Sequence, residues 1–241
     1  MNPSKGLHLS AVLFLALLCY LVFFHGLGRY ALWDPDEGRV GVIAKEMVAS
    51  GNWVTLTQNG APYYDKPVPY FWLVALCINL LGLSELAVRL PSALAAALTV
   101  GFVFLWGSVS GGLKRGLWSG VILATSMEFV ALGRLGKMDM VFTFFFTAAL
   151  LSFLRWKEHG KGSIWPFYLF LFLGLASLTK GPVGIILPTY SRSFPRWRYW
   201  PQMPSGNLLR TRREKSGDSA GSLMGAFSGF SYSLSPPLVA I

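Results

Sequence analysis

Apolar residues in this chain come in long unbroken runs rather than in alternation. They cover residues 9–24, 68–83, 91–109, 117–132, 140–156 and 164–178, with a short run at 183–187. A helix that crosses a bilayer needs about 20 mostly apolar residues. The runs therefore predict an all-α, polytopic membrane helix bundle, in which the shorter runs need not all cross.

Between the first two runs lies a polar stretch, residues 28–66. It contains one well-marked helix. Asp34 suits its N-cap, Pro35 its first turn and Glu37 the N3 position of a capping box. Val40, Ile43, Ala44, Met47 and Val48 then form a single apolar stripe, and Gly51 suits the C-terminal cap. This pattern predicts an amphipathic helix lying on the outer membrane surface.

Composition strengthens the membrane reading. Of 241 residues, 53% are hydrophobic and 13% charged, against about 25% charged in soluble domains. The net charge of +10 sits in short basic clusters between apolar runs, as in cytoplasmic loops, and no nucleic-acid motif accompanies it. Cys19 and Cys77 lie inside apolar runs, so neither a disulfide framework nor a metal knuckle is indicated. His8, His25 and His159 lack metal-ligand spacing.

Charge also orders the topology. The first run has no small-residue cleavage site behind it, and reads as an uncleaved helix with its N-terminus in the cytoplasm. If residues 68–83 crossed, Lys114-Arg115 and the basic cluster at 155–161 would lie outside, against the positive-inside rule. If that run is interfacial or re-entrant, both clusters become cytoplasmic. Asp36, Lys66, Arg89, Asp139 and Lys180 then all come to the outer face. Residues 1–190 form the membrane domain in this reading. Residues 191–241, rich in Ser, Arg, Pro and Gly, read as a disordered or frameshifted tail, with the domain left incomplete.

The candidate chemistry gathers at that outer face. Caps explain Asp34 and Glu37 but leave Asp36 and Arg39 unassigned, both turned from the apolar stripe. The start of a helix favours a carboxylate's charge, and such a group serves as a general base where a hydroxyl can reach it. Lys66 stands where the chain re-enters apolar territory, beside Asp65, Tyr63 and Tyr64. It reads either as an interfacial ion pair within an aromatic belt or as a phosphate ligand. Arg89, Asp139 and Lys180 each edge an apolar run, where charge is costly. Arg134 and Lys137 add positive charge on a face that disfavours it, which points to an anionic ligand.

The order of these motifs resembles one family. Asp36-Glu37-Gly38-Arg39, Gly51-Asn52-Trp53, Asn59-Gly60-Ala61-Pro62-Tyr63-Tyr64-Asp65-Lys66-Pro67 and Glu85-Leu86-Ala87-Val88-Arg89-Leu90-Pro91-Ser92-Ala93 are similar to the GT-C class of polyprenyl-phosphate-sugar-dependent glycosyltransferases. Within that class, they resemble bacterial relatives of aminoarabinose lipid A transferases and protein O-mannosyltransferases. Lys137-Met138-Asp139 and Leu178-Thr179-Lys180-Gly181-Pro182 look like later motifs of that class.

The resemblance implies a multi-pass bacterial inner-membrane enzyme with its active-site loop in the periplasm. Its donor would be a polyprenyl-phosphate-linked sugar, and its acceptor a hydroxyl of lipid A, another glycan or protein. It places Asp36 as the base, with Glu37 and Asp139 in the catalytic set. Lys66 and Lys180 match lysines near the donor phosphate, and Arg39 and Arg89 add to that pocket or hold the loop. A divalent metal stays open, and Asp65 stands where relatives often have Glu, which weakens a metal role there. Two other readings remain: an inactive truncated membrane protein, and a transporter of a lipid-linked anion.

Overall fold

Local chemistry sets where each apolar run begins and ends as helix. The structure is a computed structural model describing residues 3–33, 35–159 and 163–182, all within the unit Met1–Phe194. The readings of Asp34 as a cap, of the run at 183–187 and of the tail from 191 fall outside the described residues.

Helix α1, Pro3–Cys19, widens into one π-type turn at Tyr20–Phe24, closed by the His25 N–H donating to the Tyr20 carbonyl at 2.9 Å. Helix α2 is Pro35–Ser50 and buries Val40, Ile43, Ala44 and Met47, the predicted stripe. Gly51 ends it at φ +68°, its N–H bonded to the Met47 carbonyl. The loop beyond α2 carries a short antiparallel hairpin, with β1, Thr57–Gln58, paired to β2, Ala61–Pro62. Asn59 and Gly60 turn it with φ of 53° and 77°. Both values lie in the left-handed region that a two-residue hairpin turn of type I′ requires.

Helix α3 spans Pro69–Leu81 and α4 Glu85–Gly111. The fourth helix starts six residues before the apolar run at 91 because Ser84 caps it, its Oγ accepting from the Ala87 N–H at 3.3 Å. Pro91 consequently lies inside the helix rather than at its start. The run at 117–132 divides into α5, Leu113–Thr125, and α6, Met127–Arg134, bent by 65°. At the break, the Thr125 and Ser126 hydroxyls donate to the Val121 and Ile122 carbonyls, both at 2.8 Å. The helix itself ends because Ser126 takes extended backbone, with φ −66° and ψ 124°. Helices α7, Met138–His159, and α8, Trp165–Lys180, complete the set.

The described residues form an all-α membrane bundle built around α4, which packs against α3, α5, α6 and α7, while α7 pairs with α8 and α2 lies on α3. In lipid the apolar surface of a helix gains little by touching another, so close backbone approach and polar contacts hold helices together. Ala87, Ala93 and Ala96 of α4 are fully buried. A Cβ on Gly133 of α6 would come within 3.0 Å of Ala96 and 2.9 Å of Phe23. Outward, Leu9, Leu13, Phe14 and Leu17 of α1 and Phe167 and Phe170 of α8 are exposed, as lipid-facing side chains are.

Helices α4 and α7, with 27 and 22 residues, are long and apolar enough to cross a membrane, as is the bent α5–α6 pair if it forms one span. At 1.5 Å per residue, the 13 residues of α3 reach only about 20 Å. That falls short of a hydrocarbon core of about 30 Å.

Candidate active site

The charged residues scattered along the sequence meet where the start of α2, the loop after the hairpin, the start of α7 and the end of α8 converge. A cavity of about 160 Å³ is lined there by Asp36, Arg39, Val40, Tyr63, Lys66, Phe71, Lys137, Met138, Asp139 and Lys180. Four cations thus face two carboxylates, and the cavity carries net positive charge.

The carboxylates do not touch each other; each is matched to cations. Asp36, in the first turn of α2, accepts from Arg39 Nη1 at 3.1 Å, one turn along the same helix. Its other oxygen lies 4.0 Å from Lys137 Nζ. Asp139, in the first turn of α7, is directly paired with Lys180 in the last turn of α8. Both acids occupy helix N-terminal turns, where the dipole favours negative charge, and Lys180 occupies a C-terminal turn, which favours positive charge. Lys66, which also lines the cavity, lies 4.0 Å from Asp65 and is 41% exposed. Tyr63 donates its hydroxyl to Asp65 at 3.2 Å. Burial, partly offset by Arg39, raises its phenol above the usual value. Tyr63 therefore keeps its proton at neutral pH.

Glu37 and Arg89 stand apart from this cavity. Glu37 is completely buried and Arg89 is 5% exposed. They form a two-pronged ion pair, Arg89 Nε to Glu37 Oε1 at 3.0 Å and Nη2 to Oε2 at 2.9 Å. Arg89 also donates to the carbonyls of Leu27 at 3.0 Å, Tyr30 at 2.8 Å and Ala31 at 2.9 Å. A guanidinium has five N–H donors, and these five bonds occupy all of them. Of the two roles expected for Arg89, adding to the phosphate pocket or holding the loop, this geometry matches the second: every N–H is taken, three of them by carbonyls of the segment after the first helix. Glu37, expected in the catalytic set, has both oxygens bonded inside the protein and does not line the cavity. Burial pushes its carboxyl up, but Arg89 and the Gly136 and Trp33 amides outweigh this and leave it below the usual carboxylate range.

Sequence reasoning read Arg134 and Lys137 together, and the structure separates them. Arg134 donates to the Val22 and His25 carbonyls at 2.7 and 3.1 Å, closing the end of the first helix. Lys137 faces the cavity beside Asp36. Its place in the Lys137-Met138-Asp139 motif was the available signal, because a lysine two residues before a site carboxylate shares the same loop end. A larger cavity of about 530 Å³ lies beside the Arg89 loop. It is lined by Leu27, Tyr30, Ala31, Leu32, Trp33, Arg89, Arg134 and Leu135 and gathers no carboxylate. Among the described residues no three His, Cys, Asp or Glu side chains cluster as ligands for a metal ion.

The family model for dolichyl-phosphate-mannose-protein mannosyltransferase matches residues 65–194, just over half of the chain. The chain belongs to this family. The mannosyltransferase-family match takes in Lys66, Arg89, Lys137, Asp139 and Lys180, four of them at the cavity. An uncharacterized protein of Aquifex aeolicus is 34% identical over 171 residues, covering 70% of this chain and 34% of that protein. The undecaprenyl phosphate-alpha-4-amino-4-deoxy-L-arabinose arabinosyl transferase of Aeromonas hydrophila is 31% identical over 179 residues, covering 72% of this chain and 33% of its own length. Among solved structures, ArnT from Cupriavidus metallidurans bound to undecaprenyl phosphate aligns with a TM-score of 0.68 and 29% identity. The match covers 78% of this chain and 37% of that one. The chain thus spans about a third of the length of these relatives.

Proposed function

We propose that this chain carries the donor-phosphate and catalytic cavity of a membrane glycosyltransferase. The enzyme would move a sugar from a polyprenyl-phosphate donor to an acceptor hydroxyl at the outer face of a bacterial inner membrane. The N-terminus would be cytoplasmic, the α2–hairpin loop periplasmic and α3 re-entrant or interfacial. The observation that carries the reading is the cavity that joins Asp36 and Asp139 to Arg39, Lys66, Lys137 and Lys180. The arabinosyl transferase relatives and the solved neighbour bound to undecaprenyl phosphate support the donor class, with lipid A, another glycan or protein as acceptor.

The acceptor O–H would lose its proton to the Asp36 carboxylate as its oxygen bonds to the anomeric carbon. The bond from that carbon to the phosphate oxygen breaks, and its electron pair leaves with the polyprenyl phosphate. The departing group gains negative charge, so prepositioned cations lower the barrier. Lys66, Lys180, Lys137 and Arg39 of the cavity lining would supply that charge. Asp139 would hold Lys180 in place and complete the acidic side of the cavity.

The test is transfer of radiolabelled sugar from polyprenyl-phosphate donors in membranes containing the 241-residue chain, with Asp36→Asn as control. Donor-dependent product that disappears in the variant supports the assignment. Binding of polyprenyl phosphate with no transfer from any donor would point instead to a protein that binds or moves a lipid-linked anion.

A further inference from the structure

Glu37 lies at a junction of three stretches of chain that are remote in sequence. Its Oε2 accepts from the Trp33 N–H at 3.2 Å, just before α2. Its Oε1 accepts from the Gly136 N–H at 2.6 Å, in the short link between α6 and α7. Both oxygens also accept from Arg89 in α4. Arg89 in turn gathers the Leu27, Tyr30 and Ala31 carbonyls of the segment leading to α2.

The neighbours of these anchor points are the groups that line the cavity. Asp36 precedes Glu37 directly. Gly136 precedes Lys137 and lies three residues before Asp139. One buried carboxylate therefore ties the element bearing Asp36 to the link bearing Lys137 and Asp139, and a rigid central helix supports both. Gly136 is built for this approach: a Cβ there would lie 2.9 Å from Val88 Cγ1, 3.1 Å from the Val88 carbonyl and 3.4 Å from Glu37 Oε1. No side chain fits between the link and α4.

We infer that Glu37, clamped by Arg89, is a positioning residue that sets Asp36 against Lys137 and Asp139 without touching substrate. The inference rests on the proposed glycosyl transfer for its kinetic consequence, but its geometric consequence is independent of that reading. A displacement of about 1 Å in a reacting constellation can lower a rate by about a hundredfold. A loosened clamp should therefore act on turnover rather than on donor binding.

The experiment compares wild type, Glu37→Gln, Glu37→Ala and Gly136→Ala in the full chain. The last variant keeps both charged partners and presses on Val88 and Glu37 from the α6–α7 link, and serves if the Glu37 variants do not accumulate in membranes. Transfer should fall by about 10- to 100-fold in kcat, with KM for the donor changed by less than about threefold. The acid limb of the pH–rate profile should keep its midpoint in Glu37→Gln, because Glu37 is not the titrating base. Hydrogen–deuterium exchange of the detergent-solubilised chain should rise around residues 135–139 and 33–37 and stay unchanged within α4.

Loss of the acid limb in Glu37→Gln would overturn the inference, since Glu37 would then be the group that titrates. Exchange rising throughout the bundle would also overturn it, by making the pair a general determinant of folding. So would turnover close to wild type in every variant. If the wild-type chain transfers no sugar, the proposed function fails, and exchange alone decides the clamp: a local rise sustains it, and no change rejects it.

Discussion

The Lys180 ammonium and the Asp139 carboxylate, 41 residues apart in sequence, pair directly in the cavity lining where α8 ends and α7 begins. The lysine proposed to meet the donor phosphate is thus already engaged by one of the two acids. A phosphate entering the cavity competes with Asp139 for the same N–H donors.

That competition has a measurable sign. Asp139→Asn should release Lys180 and strengthen binding of unsubstituted polyprenyl phosphate by a few fold, while lowering transfer. Lys180→Ala should weaken the same binding by about tenfold or more, since a hydrogen bond to a charged group contributes about 1.5–3 kcal/mol and each 1.4 kcal/mol is about tenfold. Equilibrium binding to both variants in detergent or nanodiscs checks the pair. Equal weakening by both would contradict competition.

Asp36→Asn should lower kcat by about 10²- to 10⁴-fold, the usual range for a lost general base. It should leave polyprenyl phosphate binding intact or tighter, because Arg39 and Lys137 then lack a carboxylate partner on α2. A parallel loss of donor affinity would move Asp36 from proton transfer to donor recognition.

The buried pair contributes to acid stability. Glu37 is held below its ordinary value of 4.5, so the folded state prefers its charged form. That preference contributes in full above pH 4.5 and is lost as pH falls through the lower folded value. Wild type should therefore lose thermal stability steeply below about pH 4.5, and Glu37→Gln should show a shallower dependence. Arg89→Ala should destabilise at neutral pH by about 3–5 kcal/mol, the cost of leaving one buried charge without its partner. Melting curves across pH 3–7 in detergent would read both effects.

The hairpin that delivers Tyr63 and Lys66 to the cavity is held by Glu46, which accepts from the Asn59 N–H at 2.7 Å and the Gly60 N–H at 3.4 Å. Its hydrogen bonds, Thr57 foremost, keep its carboxyl below the usual range. Gly60→Ala forces a side chain into φ +77°, at about 1–3 kcal/mol of strain. Both Gly60→Ala and Glu46→Ala should speed limited proteolysis between residues 55 and 66. Donor KM should rise more than kcat falls, since Lys66 is proposed to bind the donor phosphate. Unchanged cleavage would show that the loop is held from elsewhere.

Much of this organisation was legible in the residues. The ends of α2 follow from capping chemistry and a 3.6-residue stripe, and the Asn59-Gly60 turn follows from the two residue types that tolerate positive φ. The clustering of Asp36, Lys66, Asp139 and Lys180 was foreshadowed by their shared placement at one end of the apolar runs. The division of 117–132 was not legible, since it turns on the extended backbone of Ser126 within an otherwise continuous apolar run.

Composition and apolar run length alone determined that this chain is a helical membrane protein, because lipid demands backbone bonds satisfied within each segment. Motif order alone determined its family resemblance. Tertiary structure decided which charges face one another. Arg89 and Lys66 look alike in sequence, each a cation at the edge of an apolar run. Folding surrounds Arg89 with Glu37 and three carbonyls and leaves Lys66 exposed in the cavity lining. The difference lies in partners 52 to 62 residues distant. A side chain's free donors depend on which remote acceptors the packed helices bring to it, and no local pattern records that.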